Sequence, residues 1–162
     1  GNRTNAHIPD MQAGIDSAIS FYTAIISGIT FIIDSCGILG DYSSMSYEKF
    51  VIDEEMIAMV NHMLKPITIS EKTINLDRIG QVEIGKKKIV YTKPTELFRD
   101  EHFQSKLLNR LDYKEWKAAG MKSISGAAQE IVKNRIESYE KPEIDRMSEK
   151  QLSRFVEKRV KR

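Results

Sequence analysis

Residues 9–33 read PDMQAGIDSAISFYTAIISGITFII, and the prediction of the fold depends on this stretch. Their apolar positions recur at helical spacing, and Asp10 is suited to cap the helix because its carboxylate can accept from the N–H groups of the first turn. Gly28 is a favourable residue at which such a helix ends. Residues 30–33 are apolar without alternation, which is typical of a parallel strand covered on both faces. The stretch therefore predicts a helix followed by a buried strand.

A loop and a second helix follow this strand. The loop over residues 34–41 is rich in small and polar residues. Ser46 is a suitable cap for a helix that ends near Leu64, before Pro66. The order of helix, strand, loop and helix is typical of α/β proteins. Residues 1–66 are therefore predicted to form βα units.

Residues 67–162 are predicted to be mostly helical. Caps are expected at Ser70, at Asp112 with Glu115, and at Ser148 with Gln151. The apolar residues expected to face inward in the first and last of these helices are Ile74, Leu76, Ile79, Val82, Leu152, Phe155, Val156 and Val160. A longer helix is expected over residues 125–140, a small strand over 89–91, and a short helix that begins near Pro94.

Composition narrows the class of protein. The chain has 162 residues, 41% hydrophobic and 30% charged, which is typical of one globular domain with its own core. The formal net charge of +2 indicates no strongly charged partner. Cys36 is the single cysteine, so an internal disulfide is excluded. A lone cysteine fits a reducing compartment and predicts a cytoplasmic location.

Two stretches have an alternative interpretation that we consider weaker. Residues 17–33 carry no charge, but they are short for a membrane span, which needs about 20 apolar residues. The basic residues near the C-terminus, such as Lys150, Arg154 and Lys158, have little aromatic interleaving. They are therefore interpreted as a solvated helix face and not as a nucleic-acid site. We expect neither a membrane nor a nucleic acid as a partner.

Familiar catalytic and metal-binding motifs are absent. His7, His62 and His102 are far apart in the sequence, so no zinc site is predicted. There is also no Walker loop, no G-x-G-x-x-G fingerprint and no G-x-S-x-G motif.

Two polar loops remain as candidate sites. Residues 1–12 lead directly into the first predicted helix, where a polar or anionic ligand is favoured; the alternative is a surface loop in which Asp10 only caps the helix. In the second loop, Gly37 and Gly40 allow close approach of the backbone to a ligand. The alternative there is a tight connection with an inert, buried Cys36.

Two stretches of the chain resemble the trimethylamine:corrinoid methyltransferase family. Residues 4–14, TNAHIPDMQAG, are similar to its T-[DN]-x-x-x-P-D-x-Q-A-G segment. Residues 46–56, SYEKFVIDEEM, are similar to its S-x-E-Q-L-V-I-D-[DE]-E run, with Lys49 in place of the usual glutamine. The resemblance extends over most of the chain to about Ala119, and it concerns the C-terminal part of the family only.

The resemblance implies a fold and a reaction. Family members are (β/α)8 barrels that transfer a methyl group from a methylated amine, such as trimethylamine or glycine betaine, to Co(I) of a corrinoid. That cobalamin-type cofactor is carried by a separate corrinoid protein. Because a barrel needs about 250 residues, we expect an α/β chain that forms the C-terminal portion of a (β/α)8 TIM barrel and a helical tail. It would be an enzyme when completed by an N-terminal half.

The matched motif and the predicted strand end also indicate which residues face the substrate and the corrinoid. They are Thr4, Asn5, Asp10, Gln12, Cys36, Gly37 and Asp41. No catalytic residue and no metal ligand is singled out among them. A second hypothesis is a non-catalytic interaction or oligomerisation module, whose helical tail binds a partner or drives self-association. In a homo-oligomer, the apolar surface of residues 15–33 would be buried between chains.

Overall fold

The computed structural model describes residues 1, 3–74, 76–80 and 101–160, which are mostly helical with one small sheet. They divide into two compact units, Gly1–Val132 and a second that begins at Lys133. The elements in order are α1 (Met11–Ile26), β1 (Ile38–Leu39), β2 (Ser44–Met45), α2 (Tyr47–Met63), α3 (Glu71–Ile74), α4 (Leu76–Gly80), α5 (Tyr113–Ala118), α6 (Ile124–Glu137) and α7 (Arg146–Val160). No described helix is both long and apolar enough to cross a membrane.

Helix α1 begins and ends where the sequence predicts. The Asp10 carboxylate accepts from the backbone N–H of Ala13 at 3.1 Å, so the predicted cap is confirmed. Gly28 has φ of +80°, a conformation that glycine adopts without strain, and its N–H donates to the Ile25 carbonyl at 2.9 Å. The predicted helix stop is therefore confirmed as well.

The predicted strand over residues 30–33 is wrong. These residues form no strand, and Phe31 and Ile33 are 81% and 59% exposed. A parallel strand requires a neighbouring strand for its hydrogen bonds. The described residues contain only β1 and β2 as strands, and these pair with each other, so nothing there can pair with residues 30–33. An apolar run indicates burial, but it does not supply the neighbouring strand. No TIM barrel is seen among the described residues.

The small sheet is an antiparallel hairpin, with Ile38 opposite Met45 and Leu39 opposite Ser44. Its loop bends through three successive left-handed residues, Gly40, Asp41 and Tyr42, with φ of 53°, 48° and 75°. Such angles are strained for aspartate and tyrosine, and the surrounding structure must hold them. Two backbone hydrogen bonds from the opening segment do so, as described with the site below.

Helix α2 begins after Ser46, whose hydroxyl accepts from the Lys49 N–H at 3.1 Å, so this predicted cap is confirmed. The sequence predicts an inward apolar face for this helix, formed by Ile52, Met56, Ile57, Val60, Met63 and Leu64. That prediction is only partly correct. Val60 is buried, but Met63 is 68% exposed and the charged residues Lys49 and Asp53 are buried. Periodicity of apolar residues cannot identify a buried face on which two charges neutralise each other.

The apolar core of the first unit is small and lies in two places. Ala6, Ala13 and Leu39 pack together where the opening segment, α1 and the hairpin meet. A second cluster joins α2 to α6 and the loop before α5; its buried members are Val51, Leu107 and Ala128. The residues packed against that second cluster are Ile52, Ala127, Ile131 and Val132.

Among the remaining helices, two predicted caps are confirmed. The Ser70 hydroxyl accepts from the Thr73 N–H at 3.2 Å, and Asp112 and Glu115 form a complete capping box. The cap predicted at Ser148 is wrong: Asp145 lies earlier, and its carboxylate accepts from the N–H groups of residues 147 and 148, both at 3.0 Å. A carboxylate is the stronger acceptor for those N–H groups.

The inward faces predicted for the short and last helices are also wrong, because their apolar residues are exposed in the structure. These are Ile74, Leu76, Ile79, Leu152, Phe155, Val156 and Val160. Val82, the strand predicted at 89–91 and the helix predicted near Pro94 lie outside the described residues. The division into residues 1–66 and 67–162 stays a prediction.

A buried ion pair ties the first unit together. The Lys49 ammonium donates to the Asp53 carboxylate at 2.5 Å and to the Ser17 hydroxyl of α1 at 2.8 Å. The same carboxylate oxygen accepts from the Gly37 N–H at 2.9 Å. The side chains of Lys49 and Asp53 are only 3% and 2% exposed. One pair of charges therefore connects α1, α2 and the loop before β1.

We predict that Asp53→Ala lowers the free energy of unfolding by about 3–5 kcal/mol, because it leaves the Lys49 charge buried without a partner. The measurement is urea denaturation followed by the fluorescence of Trp116, which lies in the same unit. The control is Glu130→Ala, which removes the exposed ion pair with Lys122 and is expected to cost about 0–1 kcal/mol. Equal losses for the two variants would contradict the structural role given to Asp53.

Candidate functional site

A polar cavity of about 520 Å³ lies between the opening segment, α1 and the hairpin loop. Its lining residues are Arg3, Thr4, Asn5, Gln12, Asp16 and Asp41. All six carry side chains that form hydrogen bonds, and the volume lies in the range of pockets for small ligands. The cavity can therefore hold a small polar or charged molecule.

Thr4 fixes the geometry of this cavity. It is only 3% exposed, and its hydroxyl donates to the Asp16 carboxylate at 2.6 Å and accepts from the Ala6 N–H at 3.0 Å. Its carbonyl accepts from the Asp41 N–H at 2.9 Å, and the Ala6 carbonyl accepts from Gly40 at 2.9 Å. The opening segment thus orients one carboxylate on α1 and holds the strained hairpin loop in place.

The charges around the cavity favour a cation. Its lining includes the carboxylates of Asp16 and Asp41 and the guanidinium of Arg3, so the formal sum is one negative charge. Arg3 donates to Asp41 at 3.2 Å, and both side chains are more than half exposed. The guanidinium also lies 5.7 Å from the centre of the Tyr42 ring. An exposed pair of this kind is weak, so a charged ligand can rearrange it.

The structure brings together four of the seven residues selected from the sequence. Thr4, Asn5, Gln12 and Asp41 line the cavity. Asp10 is not among the lining residues, because its carboxylate caps α1. That these residues contact a substrate stays a prediction.

Two lining residues, Arg3 and Asp16, were not selected from the sequence. The signal for Asp16 is its spacing of four residues from Gln12, which places both side chains on one side of α1. Arg3 precedes the matched motif. The only feature of the sequence that could have assigned it to the cavity is its charge next to polar residues.

Cys36 and Gly37 lie in the loop before β1, and neither is among the residues that line the cavity. Gly37 has φ of +78° and donates to Asp53. Cys36 is half-buried; burial raises the pKa of its thiol, and the negative charges of Asp53 and Glu54 raise it further, against an opposing effect of Lys49. The geometry around these two residues is that of a tight structural connection.

The described residues offer no metal site. Within residues 1, 3–74, 76–80 and 101–160, no group of three histidine, cysteine, aspartate or glutamate side chains is arranged to hold a metal ion.

We predict that Thr4→Val lowers the free energy of unfolding by about 1–3 kcal/mol, because it leaves the buried Ala6 N–H without its acceptor and Asp16 without its donor. Thr4→Ser retains the hydroxyl and should restore most of the loss. Arg3→Gln removes only an exposed pair and should cost about 0–1 kcal/mol. Chemical denaturation of the three variants gives the comparison, and a Thr4→Val protein as stable as Arg3→Gln would contradict it.

We also predict that iodoacetamide alkylates Cys36 with a pH midpoint above that of free cysteine. A raised pKa keeps the thiol protonated at neutral pH, and only the thiolate reacts. Glu54→Gln removes a negative charge that raises the pKa, so the midpoint should fall. Glu48→Gln is the matched control on the same helix. Because Cys36 is the single cysteine, mass spectrometry gives the rate directly; a midpoint at or below that of free cysteine would refute the prediction.

Comparison with known proteins gives the family. The trimethylamine methyltransferase family matches residues 1–162. The chain is 28% identical to a glycine betaine methyltransferase of Desulfitobacterium hafniense (strain Y51), over 99% of this chain and 33% of that protein. It is 30% identical to a trimethylamine methyltransferase of Methanosarcina barkeri (strain Fusaro / DSM 804), over 98% of this chain and 32% of that protein.

An L-carnitine:corrinoid methyltransferase of Eubacterium limosum is 27% identical, over 83% of this chain and 28% of that protein. The chain spans about one third of the length of these curated relatives. Since the family match extends over all 162 residues, this chain belongs to the trimethylamine methyltransferase family.

Proposed function

We propose that this chain is the C-terminal segment of a corrinoid-dependent methyltransferase. The enzyme would move a methyl group from a methylated amine to the Co(I) of a corrinoid carried by a separate protein. The observation that carries the proposal is the family match over residues 1–162. Relatives named for trimethylamine, glycine betaine and L-carnitine support the substrate class. Family membership favours this function over the non-catalytic interaction module.

In this proposal the polar cavity binds the cationic end of the amine. A quaternary ammonium has no N–H to donate, so its recognition depends on negative charge and on aromatic faces. Asp16 and Asp41 supply that charge in the cavity. Thr4 holds both in position, through its hydroxyl for Asp16 and its carbonyl for Asp41. These residues would hold the substrate so that one methyl group points toward the acceptor, which is where such a displacement gains its rate.

The cavity is suited to the amine and not to the corrinoid. All six lining side chains are polar, whereas the broad faces of a corrin ring are largely apolar and need apolar contacts. This cavity therefore does not fit a resident corrinoid. We propose that the corrinoid arrives on a partner protein, in line with the relative named as an L-carnitine:corrinoid methyltransferase.

The apolar surface of α1 supports the proposal that this chain is one segment of a larger enzyme. Ile15, Ile19 and Ile26 are 54%, 62% and 56% exposed, and Phe31 follows at 81%. Soluble proteins rarely leave contiguous apolar surfaces of this kind uncovered. We propose that the rest of a (β/α)8 barrel covers them, in a cytoplasmic enzyme in which residues 1–66 pack against that barrel. A homo-oligomer would be the alternative cover.

We predict that the chain alone has no activity and that it becomes active when it replaces the matched third of the Desulfitobacterium glycine betaine methyltransferase. Methyl transfer to cob(I)alamin is followed by loss of the Co(I) absorbance with trimethylamine, dimethylamine and glycine betaine in turn. In the hybrid, Asp16→Asn and Asp41→Asn should raise KM because each removes a negative charge near the ammonium. Glu130→Gln, a change to an exposed acid outside the cavity lining, should leave KM unchanged.

Two outcomes would contradict the proposal. One is a hybrid that circular dichroism shows to be folded but that transfers no methyl group from any of the three amines. This result would contradict the proposed methyltransferase function. Turnover by the chain alone would refute the segment part and leave the methyl transfer standing.

A further inference from the structure

A second cavity, of about 420 Å³, lies within the first unit between residues 103–111, α5 and the start of α6. Its lining differs in charge from that of the first cavity. It includes three basic side chains, Lys106, Arg110 and Lys122, and no aspartate or glutamate among the described residues. The chemistry of this cavity is therefore that of an anion site.

Hydrogen bonds hold the walls of this cavity in place without a ligand. The Glu55 carboxylate on α2 accepts from the Ser105 hydroxyl at 2.6 Å and from the Lys106 N–H at 2.8 Å. The Ser105 hydroxyl in turn accepts from the Leu108 N–H at 2.7 Å. On the opposite wall, the Trp116 indole N–H donates to the Lys122 carbonyl at 3.1 Å. A cavity with anchored walls loses little entropy when a ligand binds.

The three cations are not equivalent. The Lys122 ammonium donates to both carboxylate oxygens of Glu130, at 2.6 and 2.8 Å, so its charge is already neutralised. The ammonium of Lys106 and the guanidinium of Arg110 have no carboxylate partner among the residues that the structure describes. Two positive charges thus remain available to a ligand.

The rest of the lining is apolar and aromatic. Leu107 is buried at 6% exposure, and Leu108 and Trp116 are half-buried beside it. Ala127 and Ile124 of α6 complete this surface. An inorganic anion would pair with the cations but leave this apolar surface exposed to water. A ligand with an apolar chain or ring would also cover that surface, which is favourable.

We propose that this cavity binds a small organic carboxylate with an aliphatic or aromatic body. The carboxylate pairs with Lys106 and Arg110, and the guanidinium can supply two parallel N–H donors to its two oxygens. The body lies along Leu108 and the Trp116 ring. The site shares no lining residue with the first cavity, so its ligand does not depend on the amine substrate.

Trp116 is the single tryptophan of the chain and lines this cavity, so its fluorescence in the folded protein is sensitive to a ligand bound there. We predict that octanoate changes the emission of Trp116 in a saturable way, and that octylammonium and inorganic phosphate do not. Lys106→Gln and Arg110→Gln should each weaken octanoate binding by about three- to tenfold, as expected for the loss of one charge-assisted contact near solvent. Isothermal titration calorimetry on the same proteins gives the dissociation constants independently.

Lys114→Gln is the matched control, because Lys114 is an exposed cation on α5 that does not line the cavity. Its octanoate affinity should equal that of the unchanged chain. Equal binding of octylammonium and octanoate would show that only apolar contact matters and would overturn the proposal. Equal losses of octanoate affinity for Lys114→Gln and Arg110→Gln would show that only the net charge of the protein matters. That result would overturn the proposal too.

Discussion

The first unit depends on the buried pair of Lys49 and Asp53. Desolvation of two charges is costly, and their attraction offsets it only when the geometry is good and the remaining donors and acceptors are satisfied. Here the Ser17 hydroxyl and the Gly37 N–H complete the set. Because each partner comes from a different part of the chain, only one arrangement of α1, α2 and the loop satisfies them all. The pair therefore specifies the packing of these elements as much as it stabilises them.

The polar cavity is a consequence of that arrangement. Once α1 and the hairpin have fixed positions, the opening segment can run between them and bond to both. Thr4 contributes its hydroxyl to α1 and its carbonyl to the hairpin loop. Asp10, a residue of the matched family motif, serves the helix end and not the cavity. The motif thus combines residues that build the site with residues that line it.

Local signals in the sequence were more reliable than long-range ones, although the cap predicted at Ser148 was wrong. The caps at Asp10, Ser46, Ser70 and Asp112 were predictable because each capping side chain and the backbone N–H that donates to it lie within three residues of each other. The strand expected at residues 30–33 failed because strand formation is decided by a neighbouring strand, which local sequence cannot supply. The buried side of α2 failed because two charges that neutralise each other behave as core.

For the candidate site too, residues indicated by a local motif were predictable, and residues that depend on long-range contacts were not. The family motif led to Thr4, Asn5 and Gln12, and the loop after the predicted strand led to Asp41. All four line one cavity. Asp16 was missed, although its spacing from Gln12 places both on one side of α1, because its orientation depends on a hydrogen bond from the distant Thr4. The second cavity had no sequence signal at all, because its cations come from two separate loops and its tryptophan comes from α5.

The three left-handed residues of the hairpin loop carry a last consequence. Gly40, Asp41 and Tyr42 keep these angles while the backbones of Thr4 and Ala6 hold the loop. If the opening segment lifts away, the loop loses two hydrogen bonds and the reason for its strain at the same moment. The wall of the cavity that contains Asp41 would therefore be lost together with the contacts of the opening segment, so the two segments form one cooperative unit.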